Sequence, residues 1–333
     1  MSNGFIQIAG IALWAVAGVL HAAGAGEEVG RSPWGPQDEI GRLNLMTDAS
    51  RLAVISRIAS GRVYDLSVDY AIGMPSWQAV GDPRYQFWLT HSPRGTIVDD
   101  PVNVGRGANQ RVSYTGDAIS MYTHTGTHID ALNHFGLNGR IWNGFAADEH
   151  LGDRGWTRAG AETIPPIVAR GVLLDVAAAK GLDVLPPNYR ISADDLRQAL
   201  RRQGVALQAG DVALIRTGRM RAFASGAAYM SEPPGLSLAA ARFLVEERGV
   251  ASVGADNLSF ESFPPEVPGN WIPVHTYLLA QQGVTIMEVV NLEDLARDRV
   301  YEFAFIGASL KLRGASAGPM RPLAFALRPE SAR

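Results

Sequence analysis

Short apolar runs alternate with helical patterns between about residues 170 and 290, and this alternation constrains the fold more than any other feature of the chain. The runs are rich in aliphatic side chains and short enough for buried strands. They cover residues 172–176, 212–216, 250–254 and 284–287. Strands that alternate with helices along a chain favour an α/β domain. Residues 301–312 and 323–327 are predicted as later strands.

Helices are indicated where a polar capping residue precedes an amphipathic pattern and a glycine follows it. Such patterns cover residues 48–61, 192–204 and 237–249. In the second of them, Ser192 and Asp195 have the spacing of a capping box, in which side chains and backbone N–H groups pair at the helix start. These three helices lie before and between the predicted strands.

Composition is compatible with one well-formed core and excludes several classes of site. The 333 residues are 47% hydrophobic, and the net charge of −3 provides no strong field for nucleic acid or an anionic membrane surface. The chain has no cysteine, which excludes disulfides, thiol nucleophiles and thiolate-bound zinc. Neither a repeat nor a linker interrupts it, so we predict a single catalytic domain over residues 31–330.

The N-terminal residues have features of a secretory signal. Residues 5–20 are nearly all apolar, and Ala23 and Ala25 fit a small-residue cleavage site. No Lys or Arg precedes the apolar run, and this absence argues against a secretory signal. We predict a signal peptide over residues 1–26 and therefore a periplasmic or secreted protein. If that segment is instead a buried helix, the protein is expected in the cytoplasm.

The segment from His124 to His134 concentrates metal-binding side chains. Three of the seven histidines lie in it, together with Asp130. In an extended chain the side chains at 124, 128, 130 and 134 point the same way, whereas a helix would turn Asp130 to its far side. Imidazole and carboxylate bind borderline cations such as Zn²⁺ or Mn²⁺. His124, His128 and Asp130 could supply the three ligands of a catalytic zinc, and His134 could be a further ligand or a proton shuttle.

Two later residues could join this group. His275 lies where a helix is predicted to begin, and Glu288 follows the apolar run at 284–287. A histidine at a helix start and a glutamate at a strand end could meet on one rim of the sheet. They are therefore candidates for a second set of ligands.

The segment resembles the signature H-x-G-T-H-x-D-x-P-x-H of the cyclase-like metal hydrolases, a family that includes kynurenine formamidase, isatin hydrolase and lactone hydrolases. It departs from that pattern at Leu132, where the family often has proline. The resemblance extends over about residues 34–327. It implies a swivelling β/β/α fold, with a mixed, barrel-like sheet layered with helices. It also implies homodimers or homotetramers.

The resemblance further assigns roles to the candidate site. It implies one metal held by His124, His128 and Asp130, a second held by Asp130, His275 and Glu288, and proton transfer by His134. Because some members use one metal, one or two Zn²⁺ or Mn²⁺ ions are expected per chain.

The expected reaction follows from these ligands. A divalent metal lowers the pKa of bound water to about 7, which supplies hydroxide at neutral pH, and His134 would then protonate the leaving group. We predict hydrolysis of an amide, formamide, lactam or lactone in a small, cyclic or aromatic substrate. A metal-dependent lyase or isomerase, or a binding protein without turnover, remains open.

Aromatic side chains are expected to line the substrate site: Trp77, Phe87, Trp88 and Trp271. The sequence Gly-Ala-Ser-Ala-Gly at 314–318 fits the serine-hydrolase pattern G-x-S-x-G. In that fold the acid and the histidine follow the serine. No histidine follows His275 and no aspartate follows Asp298, so a serine hydrolase is excluded.

Overall fold

A computed structural model of the protein describes residues 28–94, 100 and 103–329. The predicted signal peptide at residues 1–26 lies outside the described residues. Within them, no helix has the length and apolar character needed to cross a membrane.

A nine-stranded mixed sheet, curled into a half-barrel, forms the centre of the fold and confirms the predicted fold class. The strand order is β1-β15-β13-β7-β9-β11-β12-β4-β14. The four central strands β7, β9, β11 and β12 are parallel, and the strands that flank them on both sides pair antiparallel. The described strands are β1 Tyr64–Asp65, β2 Gln86–His91, β3 Gly116–Ser120, β4 His128–Asp130, β5 Leu151–Gly152, β6 Gly155–Trp156, β7 Ile167–Asp175, β8 Arg190–Ile191, β9 Val212–Arg216, β10 Gly235–Leu236, β11 Ser252–Ala255, β12 Thr285–Glu288, β13 Glu302–Gly307, β14 Ala317–Pro319 and β15 Leu323–Ala326.

Helices pack against this sheet or connect its strands. The helix Leu238–Arg242 continues as the π-helical turn Phe243–Glu247, and the helix Pro273–His275 continues as the π-helical turn Thr276–Gln281. The described α-helices are α1 Asp48–Ser56, α2 Arg106–Asn109, α3 Ala147–His150, α4 Val176–Ala179, α5 Ala193–Gln203, α6 Ala227–Met230, α7 Leu238–Arg242, α8 Pro273–His275 and α9 Glu293–Arg297. Short 3₁₀ helices cover Gly41–Leu45, Gln78–Val80, Trp142–Gly144, Ala161–Thr163 and Arg219–Ser225.

The predicted elements occur with small differences at their ends. The capping box of Ser192 and Asp195 is present and begins α5. Helix α1 is capped by Thr47, one residue before the predicted start, because the Thr47 hydroxyl accepts a hydrogen bond from the backbone N–H of Ser50. The predicted strand at 301–312 is shorter and ends at Gly307, where its pairing with β7 ends.

Both faces of the sheet are buried, which explains the continuous apolar runs of its central strands. Successive residues alternate between two core clusters. Leu174 and Ile286 belong to the first cluster, which the helices α5, α7 and the Thr276–Gln281 turn also enter. Leu173 and Met287 belong to the second, with Ile129 of β4. His128 and Asp130, on either side of Ile129, therefore face the first cluster.

A buried ion-pair network fixes the end of β9. Arg216 is 4% exposed and donates to Asp175 Oδ1 at 3.0 Å and to the two carboxylate oxygens of Glu293 at 2.7 and 3.0 Å. These carboxylates raise the pKa of Arg216 against the opposing effect of burial. The guanidinium thus compensates the charge of Asp175, which is itself buried.

We expect Arg216→Met to lower the free energy of unfolding by about 3–5 kcal/mol, since it leaves a buried carboxylate without its partner. Urea unfolding followed by circular dichroism measures this change. The matched control is Arg51→Met, which removes an ion pair with a fully exposed Asp48 and should cost less than about 1 kcal/mol. Equal losses in the two variants would contradict the assigned role of Arg216.

Candidate metal centre

Pairing between β4 and β12 brings three acidic or imidazole side chains to one face of the sheet. Glu288 is the register partner of His128, and Ile286 is the partner of Asp130. Directly opposed residues of an antiparallel pair place their side chains close together on the same face. His128, Asp130 and Glu288 are all nearly inaccessible to solvent.

The turn before β4 positions His124 and orients His128. The Nδ1–H group of His128 donates to the carbonyl oxygen of Gly126 at 2.8 Å, which leaves Nε2 as the free nitrogen. Gly126 has φ +64°, and a Cβ there would lie 2.7 Å from the ring of Tyr70. Thr127 fastens the turn to the sheet, because its hydroxyl donates to Val289 O at 2.7 Å. The segment is therefore a turn followed by the strand at 128–130, and not the helix that would separate Asp130 from the histidines.

His275 reaches the same point from the opposite side. It lies at the end of α8, with Pro273 at the first helical position. Its Nε2 lies 3.5 Å from Glu288 Oε1 and 3.9 Å from Asp130 Oδ2. Its Nδ1–H donates to Glu261 Oε1 at 2.6 Å. A carboxylate in this position fixes the tautomer and the ring orientation of a metal-ligating histidine.

The atoms that converge here lack hydrogen-bond partners. His124 Nε2 and His128 Nε2 each lie 3.4 Å from Asp130 Oδ1. Both nitrogens and both Asp130 oxygens are buried without a partner among the described residues. Since His128 carries its proton on Nδ1, lone pairs of His128 and Asp130 face each other, and such an arrangement is costly unless a cation lies between them. The donor set of imidazole nitrogen and carboxylate oxygen fits Zn²⁺ or Mn²⁺.

The surroundings lower the pKa of some groups in the cluster and raise the pKa of others. Burial opposes the charge of Asp130, but the histidines around it hold its pKa below the usual range. Burial raises the pKa of Glu288. Burial would lower the pKa of His275, but its hydrogen bonds to Glu261 and Glu288 raise that pKa to about 10. Burial, reinforced by nearby His134, lowers the pKa of His124 well below its ordinary value.

His134 lies against this cluster. Its ring centroid is 4.0 Å from that of His124 and 6.4 Å from that of His275. Burial is the main cause that lowers its pKa to about 4, although Asp130 acts in the opposite direction. Desolvation therefore outweighs the effect of the nearby carboxylate on the pKa of His134.

The structure thus brings together all six side chains that the sequence singles out: His124, His128, Asp130, His134, His275 and Glu288. Ligand atoms form two compact groups that share Asp130, one with His124 and His134 and one with His275 and Glu288. Glu261, which orients His275, is absent from the sequence-based candidates. It precedes a proline-rich loop, and no local pattern around it signals a site.

A cavity of about 600 Å³ opens onto the cluster and is largely apolar. Trp77 and Trp271 line it, as predicted, together with Tyr122, Phe135 and Phe263. The prediction for Phe87 and Trp88 is wrong. They lie on β2 of a separate two-stranded ribbon with β3, where they are 43% and 47% exposed, because side chains of a two-stranded ribbon have no second layer to cover them.

We expect Glu261→Gln to weaken metal binding by about 10- to 100-fold, since it replaces the carboxylate that holds the His275 ring. The variant keeps one acceptor oxygen, whereas the carboxylate accepts from Val274 N with Oε2 and from His275 N with Oε1. Competition with a chromophoric chelator measures the affinity. Glu266→Gln, which neutralises a carboxylate on the following loop that accepts from Leu238 N and lies outside both ligand groups, should leave the affinity unchanged.

Comparisons with known proteins agree with this architecture. The Cyclase family model matches residues 64–262. Cyclase-like protein 3 of Oryza sativa subsp. japonica is 26% identical over 263 residues, which are 78% of this chain and 78% of the relative. A solved structure described as a novel cyclase has a TM-score of 0.78 at 26% identity and covers 90% of this chain and 100% of its own. Isatin hydrolase A from Ralstonia solanacearum has a TM-score of 0.59 at 21% identity over 84% of this chain and 97% of its own, which shows a shared fold.

Proposed function

The chain belongs to the Cyclase family, whose model matches more than half of its length, and from this premise we propose that it is a metal-dependent hydrolase of small cyclic or aromatic amides or esters. The observation that carries the proposal is the convergence of unpartnered nitrogen and oxygen atoms at the floor of an aromatic cavity. Buried polar atoms without partners are rare in proteins, and a cluster of them at a cavity marks a functional site.

The proposed ligands are His124, His128 and Asp130 for one ion, and Asp130, His275 and Glu288 for a second. When bound, Zn²⁺ or Mn²⁺ supplies Lewis acidity, which activates water and polarises a carbonyl oxygen. Glu261 orients His275 through the Nδ1–H bond, and Gly126 O orients His128 in the same way. Both contacts hold an Nε2 atom toward Asp130.

His134 is proposed to move the proton. With its pKa lowered to about 4, the free imidazole is neutral at pH 7 and has a ring nitrogen available to accept the proton lost by the attacking water. A C–O bond forms at the acyl carbon, and the acyl C–N or C–O bond to the leaving group breaks. The proton then passes from His134 to the leaving amine or alcohol. The acid product keeps the second proton of water and becomes a carboxylate when it releases that proton to solvent or, for an amine, to the leaving group.

The cavity supports a flat, largely uncharged substrate. Trp77, Tyr122 and Trp271 offer aromatic faces, which suit planar rings. The described lining residues include Asp82, Glu232 and Glu288 but no Lys or Arg, so the side chains offer no cationic partner to an anionic substrate. A lactam, a lactone, a formanilide or isatin satisfies both conditions.

The test is a hydrolysis assay on these four substrate types, before and after removal of metal with a chelator and after restoration with Zn²⁺ or Mn²⁺. We expect turnover that disappears with the metal and returns with it. Reaction in ¹⁸O-labelled water should place one solvent oxygen in the carboxylate product. Turnover that incorporates no solvent oxygen would indicate a lyase or an isomerase, and turnover that survives complete metal removal would overturn the proposal.

A further inference from the structure

A second cavity, of about 520 Å³, shares the lining residue His134 with the aromatic cavity. We call it the arginine pocket and define it by Asn133, Arg154, Trp156, Arg313 and Ser316. His134 lines both cavities, so the arginine pocket adjoins the residue proposed to transfer the proton.

The two arginines are available to a ligand. Among the described residues, neither Arg154 nor Arg313 takes part in an ion pair, and neither side chain has a hydrogen-bond partner. Asp153 and Glu162 line an adjoining depression with the same arginines, but neither forms an ion pair with them. One carboxylate oxygen of Glu162 accepts a hydrogen bond from Gly314 N at 2.9 Å.

Asn133 supplies an independent indication of a ligand. It is 2% exposed and lines the arginine pocket, yet neither its amide nitrogen nor its amide oxygen has a hydrogen-bond partner among the described residues. An unpaired buried amide is costly, whereas an amide N–H group that donates to an anion is satisfied. Asn133 and the two guanidinium groups therefore offer donors to the same space.

The two cavities differ in charge. Described residues lining the aromatic cavity carry three carboxylates and no Lys or Arg, whereas those lining the arginine pocket carry two guanidinium groups and no carboxylate. Hydrolysis of an acyl C–N or C–O bond turns a neutral carbonyl group into a carboxylate. The guanidinium charges of the arginine pocket attract this new charge, and their planar geometry matches a carboxylate with paired hydrogen bonds.

We propose that the arginine pocket is a subsite for the carboxylate that the reaction produces, an inference that rests on the proposed hydrolase function. Arg154 and Arg313 bind the carboxylate, and Asn133 donates to it from the buried wall. Product leaves the metal centre past His134 toward these residues.

The test uses benzoate and inorganic phosphate as probes, with titration calorimetry on the metal-loaded protein. We expect benzoate to bind more tightly than phosphate and Arg154→Ala/Arg313→Ala to weaken benzoate binding at least tenfold. The Arg154→Lys/Arg313→Lys variant should restore part of the affinity, because lysine keeps the charge but not the paired geometry. The control is Arg201→Ala, which removes an exposed charge on α5, outside the arginine pocket. It should bind benzoate as the wild type does.

Failure of this subsite can be distinguished from failure of the proposed function. Unchanged benzoate affinity in the double alanine variant, or tighter binding of phosphate than of benzoate, would overturn the subsite while hydrolysis remains intact. Where a substrate is hydrolysed, the inhibition constant of its carboxylate product should rise at least tenfold in the double alanine variant. Arginine-dependent benzoate binding in a protein that hydrolyses none of the panel would refute the assignment to a reaction product.

Discussion

Asp130→Ala is expected to abolish metal binding and turnover together. Its Oδ1 atom lies 3.4 Å from the Nε2 atoms of both His124 and His128, and its Oδ2 atom lies 3.9 Å from that of His275. Asp130 is the residue that both compact ligand groups share. Its loss removes a ligand from either set and leaves the histidines without their compensating negative charge. We expect a loss of rate larger than the about 10,000-fold that removal of a general acid or base reaches.

Metal analysis of the purified variant by mass spectrometry and a turnover assay measure the two effects. Asp82→Ala is the matched control, since it removes a carboxylate from the cavity outside the two ligand groups, and it should retain its metal. Circular dichroism establishes that the Asp130 variant is folded. Full metal content with an unchanged rate would mean that the metal centre is elsewhere.

His134→Ala is expected to keep the metal and to lose about 100- to 10,000-fold in turnover, the usual contribution of a general acid or base. His124, His128 and Asp130 remain to hold one ion, and His275 and Glu288 remain with Asp130 for the other. The lost function is the transfer of a proton between water and leaving group. A substrate whose leaving group needs no proton should therefore be affected least.

This variant also decides between the two roles that the sequence leaves open for His134. A ring nitrogen of His134 forms a compact group with ligand atoms of His124 and Asp130, so a coordinating role is geometrically feasible. Loss of metal together with activity would make His134 a ligand and would refute the proton-transfer role. His150→Ala provides the control, because His150 lies on α3 and packs against Phe145 outside the aromatic cavity.

Much of the fold is readable in the sequence because its signals are local. The central strands appear as apolar runs since both faces of the sheet are buried, and helix α5 is marked by the capping box of Ser192 and Asp195. Sequence-based predictions fail where contacts with residues distant in the sequence determine the structure. The π-helical turn Phe243–Glu247 and the exposed setting of Trp88 have no local signature that distinguishes them from ordinary helix and pocket wall.

The sequence by itself determined the chemistry of the protein: a close-spaced set of imidazole and carboxylate groups, without thiols, which suits a divalent metal. Only the tertiary structure decided which distant residues meet that set, because contacts between β4, β12 and α8 depend on the order of strands in the sheet. The same holds for Glu261 and for the arginine pocket, whose members lie far apart along the chain. Their proximity results from long-range packing, and no spacing in the sequence encodes it.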